Sequence, residues 1–320
     1  MNRQAIFLRV SVTDACNLRC CYCRSSDDCP PTDSSNKLTT DEMITLLRFL
    51  QQRVGINKLR FTGGEPLLRR DLAVLIANVR DLGVKDISLT TNGQLLAGKA
   101  VQLKESGLSR INISLDSLNP DTYSVITRGG KLDNCIDGIQ EALVQGISPV
   151  KLNMALLRGV NDQEITDLVN FGLQTGCQVR FLELMPVGVA SEIFDQRFFP
   201  WSEAYDRIES HFNLQPLPYQ AGSTSRDFEV KDARGRSTVC GFISPTSHPF
   251  CKGCKRLRLT NDGRLLGCLA KCESIDLRPA LDRALGGDPT PLGELVASAL
   301  SIKLGVHNLA DQNNMVRIGG

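Results

Sequence analysis

Short β-branched segments alternate with longer amphipathic segments from Ile6 to about Met185, and this alternation constrains the fold more than any other sequence feature. The predicted strands are Phe7–Val12, Lys58–Thr62, Asp86–Thr91, Arg110–Asp116, Pro149–Ala155 and Gln178–Leu184. Helical patterns lie between them, at Thr40–Arg53, Asp71–Leu82, Gln94–Glu105, Leu132–Val144 and Asp162–Gln174. Strands that alternate with helices indicate βαβ units and a parallel sheet. The predicted fold class is α/β, an incomplete TIM-like (β/α)6 barrel.

The predicted strands carry one apolar and one polar face, because side chains alternate faces with a period of two. The polar faces hold Arg9, Ser11, Thr13, Lys58, Arg60, Thr62, Ser88, Thr90, Asn92, Asn112, Ser114, Asp116, Lys151 and Asn153. An α/β barrel normally fills its lumen with branched apolar side chains. Here we expect the apolar faces to meet the helices, which turns the polar faces inward. Since buried cations are costly without counter-charge, a large anionic ligand is predicted inside the barrel; the alternative is an open sheet with a solvated face.

The pattern changes after Met185, where Pro, Gly and aromatic residues become frequent. The elements predicted there are a helix at Ser202–Phe212, strands at Phe228–Lys231, Thr238–Ile243, Arg256–Thr260 and Arg264–Cys268, and helices at Ile275–Leu285 and Pro291–Lys303. We therefore expect a barrel over residues 1–190 and a C-terminal α+β region over residues 191–320 that closes its open side.

The formal net charge of +2 gives no global field for nucleic acid or a membrane surface. No apolar run approaches the ~18–20 residues that span a bilayer, and the N-terminus lacks a signal-peptide pattern. These observations predict a soluble, cytoplasmic protein. In a reducing compartment its 12 cysteines are more readily metal ligands than disulfides. The isolated Cys135 and Cys177 are interpreted as buried small hydrophobes.

The first cysteine set is Cys16, Cys20 and Cys23, directly after the first predicted strand. Barrels of this class place their chemistry at the carboxyl ends of the strands. Thiolates bind iron–sulfur clusters, and three of them leave one iron of a cubane open. Zinc is the alternative, and Cys21 is a competing thiol within the set.

The second cysteine set is Cys251, Cys254 and Cys268. A cubane with an open iron would offer a coordination site to a substrate, whereas a structural zinc site needs a fourth ligand. The candidates for that ligand are Cys272, His248 and Cys240. Arg256 and Arg258 lie between the cysteines on one face of a predicted strand, and paired guanidiniums suit phosphate. A solvated edge strand is the plainer interpretation of that pair.

The motifs taken together resemble a known family. The first cysteine set with Tyr22, followed by Thr62-Gly63-Gly64-Glu65-Pro66, resembles the radical S-adenosylmethionine (SAM) superfamily. The Leu89-Thr-Thr-Asn-Gly, Ile113-Ser-Leu-Asp and Arg180-Phe-x-Glu-x-Met motifs, the second set with its Arg-Leu-Arg-Leu-Thr strand and the terminal Gly319–Gly320 resemble the GTP 3',8-cyclases of molybdenum cofactor biosynthesis. The resemblance runs from about Phe7 to the C-terminus.

The resemblance implies two [4Fe–4S] clusters, one on each cysteine set. At the first cluster, SAM is cleaved to a 5'-deoxyadenosyl radical, and the matching SAM contacts are Tyr22, Gly64, Ser114 and Met185. The radical abstracts the ribose 3' hydrogen of GTP, and the sugar radical then attacks C8 of guanine. The second cluster binds guanine through its open iron.

The resemblance also implies GTP contacts at Arg9, Arg60, Thr90, Lys151, Arg256, Leu257 and Arg258, with Lys58 and Arg180 as additional contacts. The terminal Gly319–Gly320 would reach the active site. The product would pass to cyclic pyranopterin monophosphate synthase, and electrons would come from a donor such as flavodoxin or ferredoxin. No nucleic acid or membrane partner is expected, and the protein could be a monomer or a homodimer.

Three positions depart from the family pattern. Ala15 stands where Arg is usual, Cys21 where Asp or Asn is usual, and Lys255 where Asn is common. They leave room for a paralogue with a shifted substrate. The alternative enzyme is a peptide-modifying radical SAM protein with auxiliary clusters, which would carry more C-terminal cysteines. The alternative outside enzymes is a zinc-stabilised module with a basic groove for RNA.

Overall fold

The structure is a computed structural model that describes residues 6–25, 37–220, 222–249, 254–268 and 273–302. Several residues discussed above lie outside this part of the chain, namely Cys251, Cys272 and Gly319–Gly320.

One sheet runs through the described residues. Its strands are β1 (Ile6–Ser11), β2 (Ile56–Thr62), β3 (Asp86–Thr91), β4 (Arg110–Ser114), β5 (Val150–Ala155), β6 (Gln178–Leu182), β7 (Asn213–Pro216), β8 (Arg226–Lys231), β9 (Ser237–Ile243), β10 (Arg256–Leu259), β11 (Arg264–Leu266) and β12 (Ile275–Asp276). Their order is β12-β11-β10-β1-β2-β3-β4-β5-β6-β9-β8-β7. Pairing is parallel from β10 to β9 and antiparallel at both flanks. Hydrogen bonds between described strands do not close the sheet, as expected for an incomplete barrel.

Most of the described helices lie between strands of the sheet, and the last two follow β12. The helices are α1 (Thr40–Val54), α2 (Leu72–Asp81), α3 (Ala100–Ser106), α4 (Pro120–Thr127), α5 (Leu132–Val144), α6 (Ile165–Thr175), α7 (Ala190–Arg197), α8 (Trp201–Glu209), α9 (Arg278–Leu285) and α10 (Thr290–Ile302). Thr39 caps α1 in a reciprocal capping box with Glu42, as the sequence signal indicates. In the described part of the chain, no helix is both long and apolar enough to cross a membrane.

The two faces of the barrel strands separate as predicted. Val10, Leu59, Ile111 and Leu152 are at most 1% exposed and belong to one core shared with the surrounding helices. Cys135 and Cys177 are buried in the same core, which confirms their interpretation as small hydrophobes. On the opposite, inward face, Ser11, Ser88 and Asn112 are also at most 1% exposed, so the alternative of a solvated polar face is wrong.

The C-terminal region extends the sheet at both edges. Strand β10 pairs with β1, whereas β9 pairs with β6, so segments from the last third of the chain flank the six barrel strands on either side. This arrangement agrees with the predicted closing role of the region. The boundary at residue 190 stays a prediction, because one sheet contains strands from both halves.

Candidate active site

A cavity of about 580 Å³ lies at the carboxyl ends of the parallel strands. The lining combines loops that follow the barrel strands with residues of the C-terminal region. The predicted site residues in this lining are Arg9, Cys16, Cys20, Tyr22, Cys23, Arg60, Gly64, Thr90, Ser114, Arg180, Met185, Cys254, Arg256, Arg258 and Cys268. The described cysteines of both sets therefore face one chamber.

Backbone contacts hold the first cysteine loop in place. The carbonyl oxygen of Cys20 accepts hydrogen bonds from the amides of Cys23 at 2.8 Å and Arg24 at 3.1 Å. The amide of Arg19 donates to Thr127, and the amide of Cys21 donates to Ile126, at 3.1 and 2.9 Å. Since both acceptors lie in the last turn of α4, that helix fixes the loop over the strand ends.

The side chains of Cys20 and Cys21 point to different surroundings. Cys20 lines the cavity, whereas Cys21 packs against a small apolar cluster that contains Ile126 and Leu157. The structure thus offers Cys20, together with Cys16 and Cys23, to a ligand in the chamber. Burial raises the pKa of Cys16, and burial followed by Asp116 raises the pKa of Cys20 well above its ordinary value. Metal-free thiols are therefore held protonated, and a metal must displace their protons.

The Gly63–Gly64 turn packs directly on the first cysteine loop. A Cβ on Gly63 would lie 2.4 Å from the carbonyl oxygen of Thr13, and a Cβ on Gly64 would lie 2.2 Å from that of Ala15. Only glycine permits this approach. The turn also donates from the Gly64 amide to Thr13 and from the Glu65 amide to Ala15, both at 2.7 Å.

The Glu65 carboxylate joins this turn to the end of β3. It is fully buried and accepts hydrogen bonds from Thr91 Oγ1 at 2.7 Å and the Asn92 amide at 2.8 Å. Burial raises the pKa of Glu65, and these donors oppose that effect.

Asp116, which strand alternation places on the inward polar face, is a site residue to which the sequence analysis assigned no role. Tyr22 Oη donates to Asp116 Oδ2 at 2.6 Å, and the Ala155 amide donates to Oδ1 at 2.8 Å. Burial raises the pKa of Asp116 to about 6. Its signal was present in the Ile113-Ser-Leu-Asp motif, whose inward parity places Asp116 beside Ser114 in the cavity lining.

Three arginines lie side by side in the chamber. Arg9 of β1 is in register with Arg60 of β2 on one side and with Arg258 of β10 on the other. Burial is the largest cause that lowers the pKa of each, and repulsion from neighbouring arginines adds to it; the values are about 9 for Arg60 and about 10 for Arg258. Such mutual repulsion favours a polyanion between them.

Unsatisfied polar atoms point to the same conclusion. Arg9 Nε, Thr90 Oγ1 and Asn153 Oδ1 are buried without a hydrogen-bond partner among the described residues. Buried polar groups are normally paired. All three residues line the cavity, so a polar ligand there would supply the missing partners.

Three of the predicted GTP contacts do not line this cavity. Lys151 is half-buried, and burial, followed by repulsion from Arg180, lowers its pKa to about 7. Lys58 forms an ion pair with Asp86 at 3.5 Å, and its side chain is 52% exposed. The side chain of Leu257 is buried in the core and does not line the chamber.

The second cysteine set is described at Cys254 and Cys268, which are half-buried and line the cavity. Of the proposed fourth zinc ligands, Cys240 is fully buried in the core. His248 Nδ1 accepts a hydrogen bond from Trp201 Nε1 at 2.9 Å. Among the described His, Cys, Asp and Glu residues, no group of three surrounds a point where one metal ion would sit. A cubane instead uses a separate iron for each thiolate, so its ligands stand further apart.

Comparison with known proteins agrees with this geometry. Residues 10–172 match the Radical SAM superfamily, and residues 177–309 match Molybdenum Cofactor Synthesis C. A GTP 3',8-cyclase of Alkaliphilus metalliredigens is 40% identical over 99% of this chain and 98% of its own length. A GTP 3',8-cyclase of Listeria monocytogenes is 41% identical over 95% of this chain and 90% of its own length.

The crystal structure of Streptococcus suis SuiB bound to S-adenosylmethionine shares the fold. It superposes with a TM-score of 0.61 at 15% identity and covers 92% of this chain and 68% of SuiB. The fold and the cysteine-lined chamber are those of a radical SAM protein. Within that superfamily, the chain belongs to the family of the GTP 3',8-cyclases. Membership implies a [4Fe–4S] cluster and SAM, and the predicted resemblance is confirmed.

Proposed function

We propose that this protein is a GTP 3',8-cyclase that converts GTP to (8S)-3',8-cyclo-7,8-dihydroguanosine 5'-triphosphate, the first step of molybdenum cofactor biosynthesis. The observation that carries the proposal is the single chamber lined both by cysteines of the two sets and by six arginines. The relatives of nearly full length carry the same name.

The first cysteine set fits a cluster that is open at one iron. Its three thiols share one wall of the chamber with Tyr22, Gly64, Ser114 and Met185, the proposed SAM contacts. The bound cofactor supplies reductive cleavage of SAM and abstraction of a hydrogen atom from the ribose. The close packing of Gly64 on the cysteine loop would hold this SAM contact against the residues that would bind the cluster, and the Tyr22–Asp116 hydrogen bond ties the loop to the end of β4.

The arginine row, which consists of Arg9, Arg60 and Arg258, fits a triphosphate. GTP carries about four negative charges, and each guanidinium can present two parallel donors to phosphate oxygens. Arg9, Arg60 and Arg258 would hold the triphosphate. Lys151 of β5 lies outside the cavity lining, but it is near enough to Arg180 and Arg60 for their charges to lower its pKa, so it would add positive charge beside the phosphates. Arg256 and Arg258 lie on β10, which follows Cys254. One segment of the chain would therefore bind both the phosphates and the base of GTP.

We further propose that Cys251, Cys254 and Cys268 bind a second [4Fe–4S] cluster whose open iron coordinates guanine. Two half-buried thiols in the lining support this assignment. The product would pass to a cyclic pyranopterin monophosphate synthase, and a low-potential protein such as flavodoxin or ferredoxin would supply electrons. Cytoplasmic location and a monomeric or dimeric state belong to the same proposal.

Two substitutions separate the two ends of the chamber. Cys23→Ala should abolish SAM cleavage and leave GTP binding, since it removes a ligand of the first cluster only. Arg258→Ala should weaken GTP binding about 10- to 150-fold, the loss expected for charge-assisted hydrogen bonds, and keep both clusters. The matched control is Arg264→Ala on the neighbouring strand, where a half-exposed arginine pairs with Asp262 at 3.5 Å.

The measurements are iron content, GTP binding by calorimetry, and 5'-deoxyadenosine formation with and without GTP. If 5'-deoxyadenosine forms equally with a peptide and without GTP, the substrate assignment is wrong. If Arg258→Ala and Arg264→Ala bind GTP alike, the arginine row is not its binding site.

A further inference from the structure

A buried carboxylate joins the two ligand-binding ends of the chamber. Glu183 lies one residue beyond β6 and is 4% exposed. Its Oε1 accepts hydrogen bonds from the Trp201 amide at 3.0 Å and Ser247 Oγ at 2.6 Å. Its Oε2 accepts from the Thr246 and Ser247 amides at 3.2 and 2.9 Å. Both carboxylate oxygens are therefore occupied by donors from other parts of the chain.

The donors come from two segments that are distant from Glu183 in sequence. Trp201 begins α8, and Thr246 and Ser247 belong to the segment after β9. Further bonds reinforce the junction: Thr246 Oγ1 donates to the Leu184 carbonyl oxygen at 3.0 Å, and the Glu183 amide donates to that of Ile243 at 3.0 Å. The end of β6 and the segment after β9 are thereby locked together.

Each locked segment carries chamber residues. On one side, Leu184 and Met185 follow Glu183 and line the cavity. On the other side, Pro245 and Pro249 line the cavity, and Cys251 follows Pro249 by two positions in the sequence. The Glu183 carboxylate thus fixes the described residues that immediately precede the second cysteine set in the sequence.

We propose that Glu183 is a positioning residue that fixes the entry to the second cysteine set, and through it the guanine end of the substrate site. The inference rests on the proposed function, because it requires a cluster at Cys251, Cys254 and Cys268. Glu183 itself lies in the cavity lining, but donors of the chain occupy both of its carboxylate oxygens, so it acts through the residues that it holds.

The test uses the full chain with Cys16, Cys20 and Cys23 all replaced by Ala, so that bound iron reports the second cluster alone. In this background, Glu183→Gln replaces one acceptor oxygen by an amide NH2 group. That group then faces N–H or O–H donors that the wild-type carboxylate accepts. The affinity for the cluster iron should then fall by up to about 10- to 100-fold, the range found when groups that support metal ligands are replaced, and a chelator should remove the iron faster. The change in the electron paramagnetic resonance spectrum that GTP causes in the reduced cluster should also diminish.

The matched control is Glu164→Gln. Glu164 likewise accepts several hydrogen bonds, from Ser117 Oγ at 2.7 Å and from the amides of Leu118 and Asn119 at 2.7 and 3.2 Å. These contacts join the residue before α6 to the loop before α4 and do not involve residues 244–249. Glu164→Gln should leave chelator release and the GTP-dependent spectrum unchanged.

A second variant keeps the test informative if Glu183→Gln folds poorly. Ser247→Ala removes the shortest of the four hydrogen bonds and should accelerate iron release in the same direction, with little effect on thermal unfolding. In the double variant the two effects should not add, because they break one contact.

The outcomes are separable. If the triple-alanine background binds no iron, the second cluster is absent and both proposals fall. If it binds iron but neither Glu183→Gln nor Ser247→Ala changes release or the spectrum relative to Glu164→Gln, the cluster stands and the role of Glu183 is refuted.

Discussion

Arg60 should cost the ligand-free protein stability while it contributes to GTP binding, so replacing it by Met should move the two properties in opposite directions. Burial, with repulsion from Arg110 and Arg180, lowers its pKa from 12.5 to about 9. Near pH 7.5 Arg60 is protonated in both folded and unfolded protein, and a folded-state pKa below the unfolded one means that the charge opposes folding. At 1.36 kcal/mol per pH unit the cost is at most about 5 kcal/mol.

The contacts that Met would lose are weak. Arg60 Nε donates to Ser88 Oγ at 3.4 Å, and the guanidinium lies 5.2 Å from the ring centroid of Phe7. A desolvated cation–π contact contributes about 2 kcal/mol, which is less than the upper bound on the cost of burying the charge. We therefore expect Arg60→Met to raise the melting temperature of the GTP-free protein by a few degrees. GTP affinity should fall about 10- to 150-fold, since charge-assisted hydrogen bonds contribute about 1.5–3 kcal/mol.

Arg110→Met is the matched control on the next strand but one. Arg110 makes two hydrogen bonds to Asp86, at 2.6 and 3.1 Å, and does not line the cavity. This variant should lower the melting temperature and leave GTP affinity near the wild-type value. The assays are thermal unfolding without GTP and calorimetric titration with GTP. A lower melting temperature for Arg60→Met together with unchanged GTP affinity would refute the electrostatic reasoning.

Three further predictions concern other parts of the chamber. The pKa of Lys151 is lowered to about 7, and bound phosphate should raise it; GTP affinity should therefore fall as pH rises above about 7, and Lys151→Arg should flatten this profile in calorimetric titrations. Gly64→Ala forces a Cβ to within 2.2 Å of a backbone oxygen of the first cysteine loop, so SAM affinity measured by dialysis should fall about tenfold or more, unlike in Gly286→Ala, where the nearest atom is 3.4 Å away. Cys20→Ala should lose about half of the bound iron in a colorimetric assay, whereas Cys21→Ala should retain it; equal iron in both variants would contradict the ligand choice.

Local patterns sufficed to predict much of the fold. Strand β3 and helix α5 have the predicted bounds, because β-branched alternation and an amphipathic period of 3.6 residues are both properties of short sequence windows. Helix α3 begins at Ala100 instead of Gln94, because Gln94 is held by side-chain hydrogen bonds in the preceding turn. Helices α4 and α7 were missed.

The site was predictable where parity or motif spacing decides, and not where long-range contacts decide. Period-two alternation correctly placed Arg9, Arg60 and Lys58 on one face of the sheet. It does not predict how far along its strand each residue lies, and therefore which of them reach the chamber. Lys58 lies two residues before Arg60, away from the carboxyl end, and pairs with Asp86. The Tyr22–Asp116 hydrogen bond spans 94 positions, so no local pattern signals it.

The central claim is that one chamber brings SAM and the ribose of GTP together, and isotope transfer tests it most directly. Reduced, reconstituted protein would be given SAM and GTP with deuterium on the ribose 3' carbon, and the 5'-deoxyadenosine would be examined by mass spectrometry. The account predicts one deuterium in 5'-deoxyadenosine, formed only when GTP is present, together with a cyclised GTP product. Deuterium-free 5'-deoxyadenosine, or its equal formation without GTP, would contradict it.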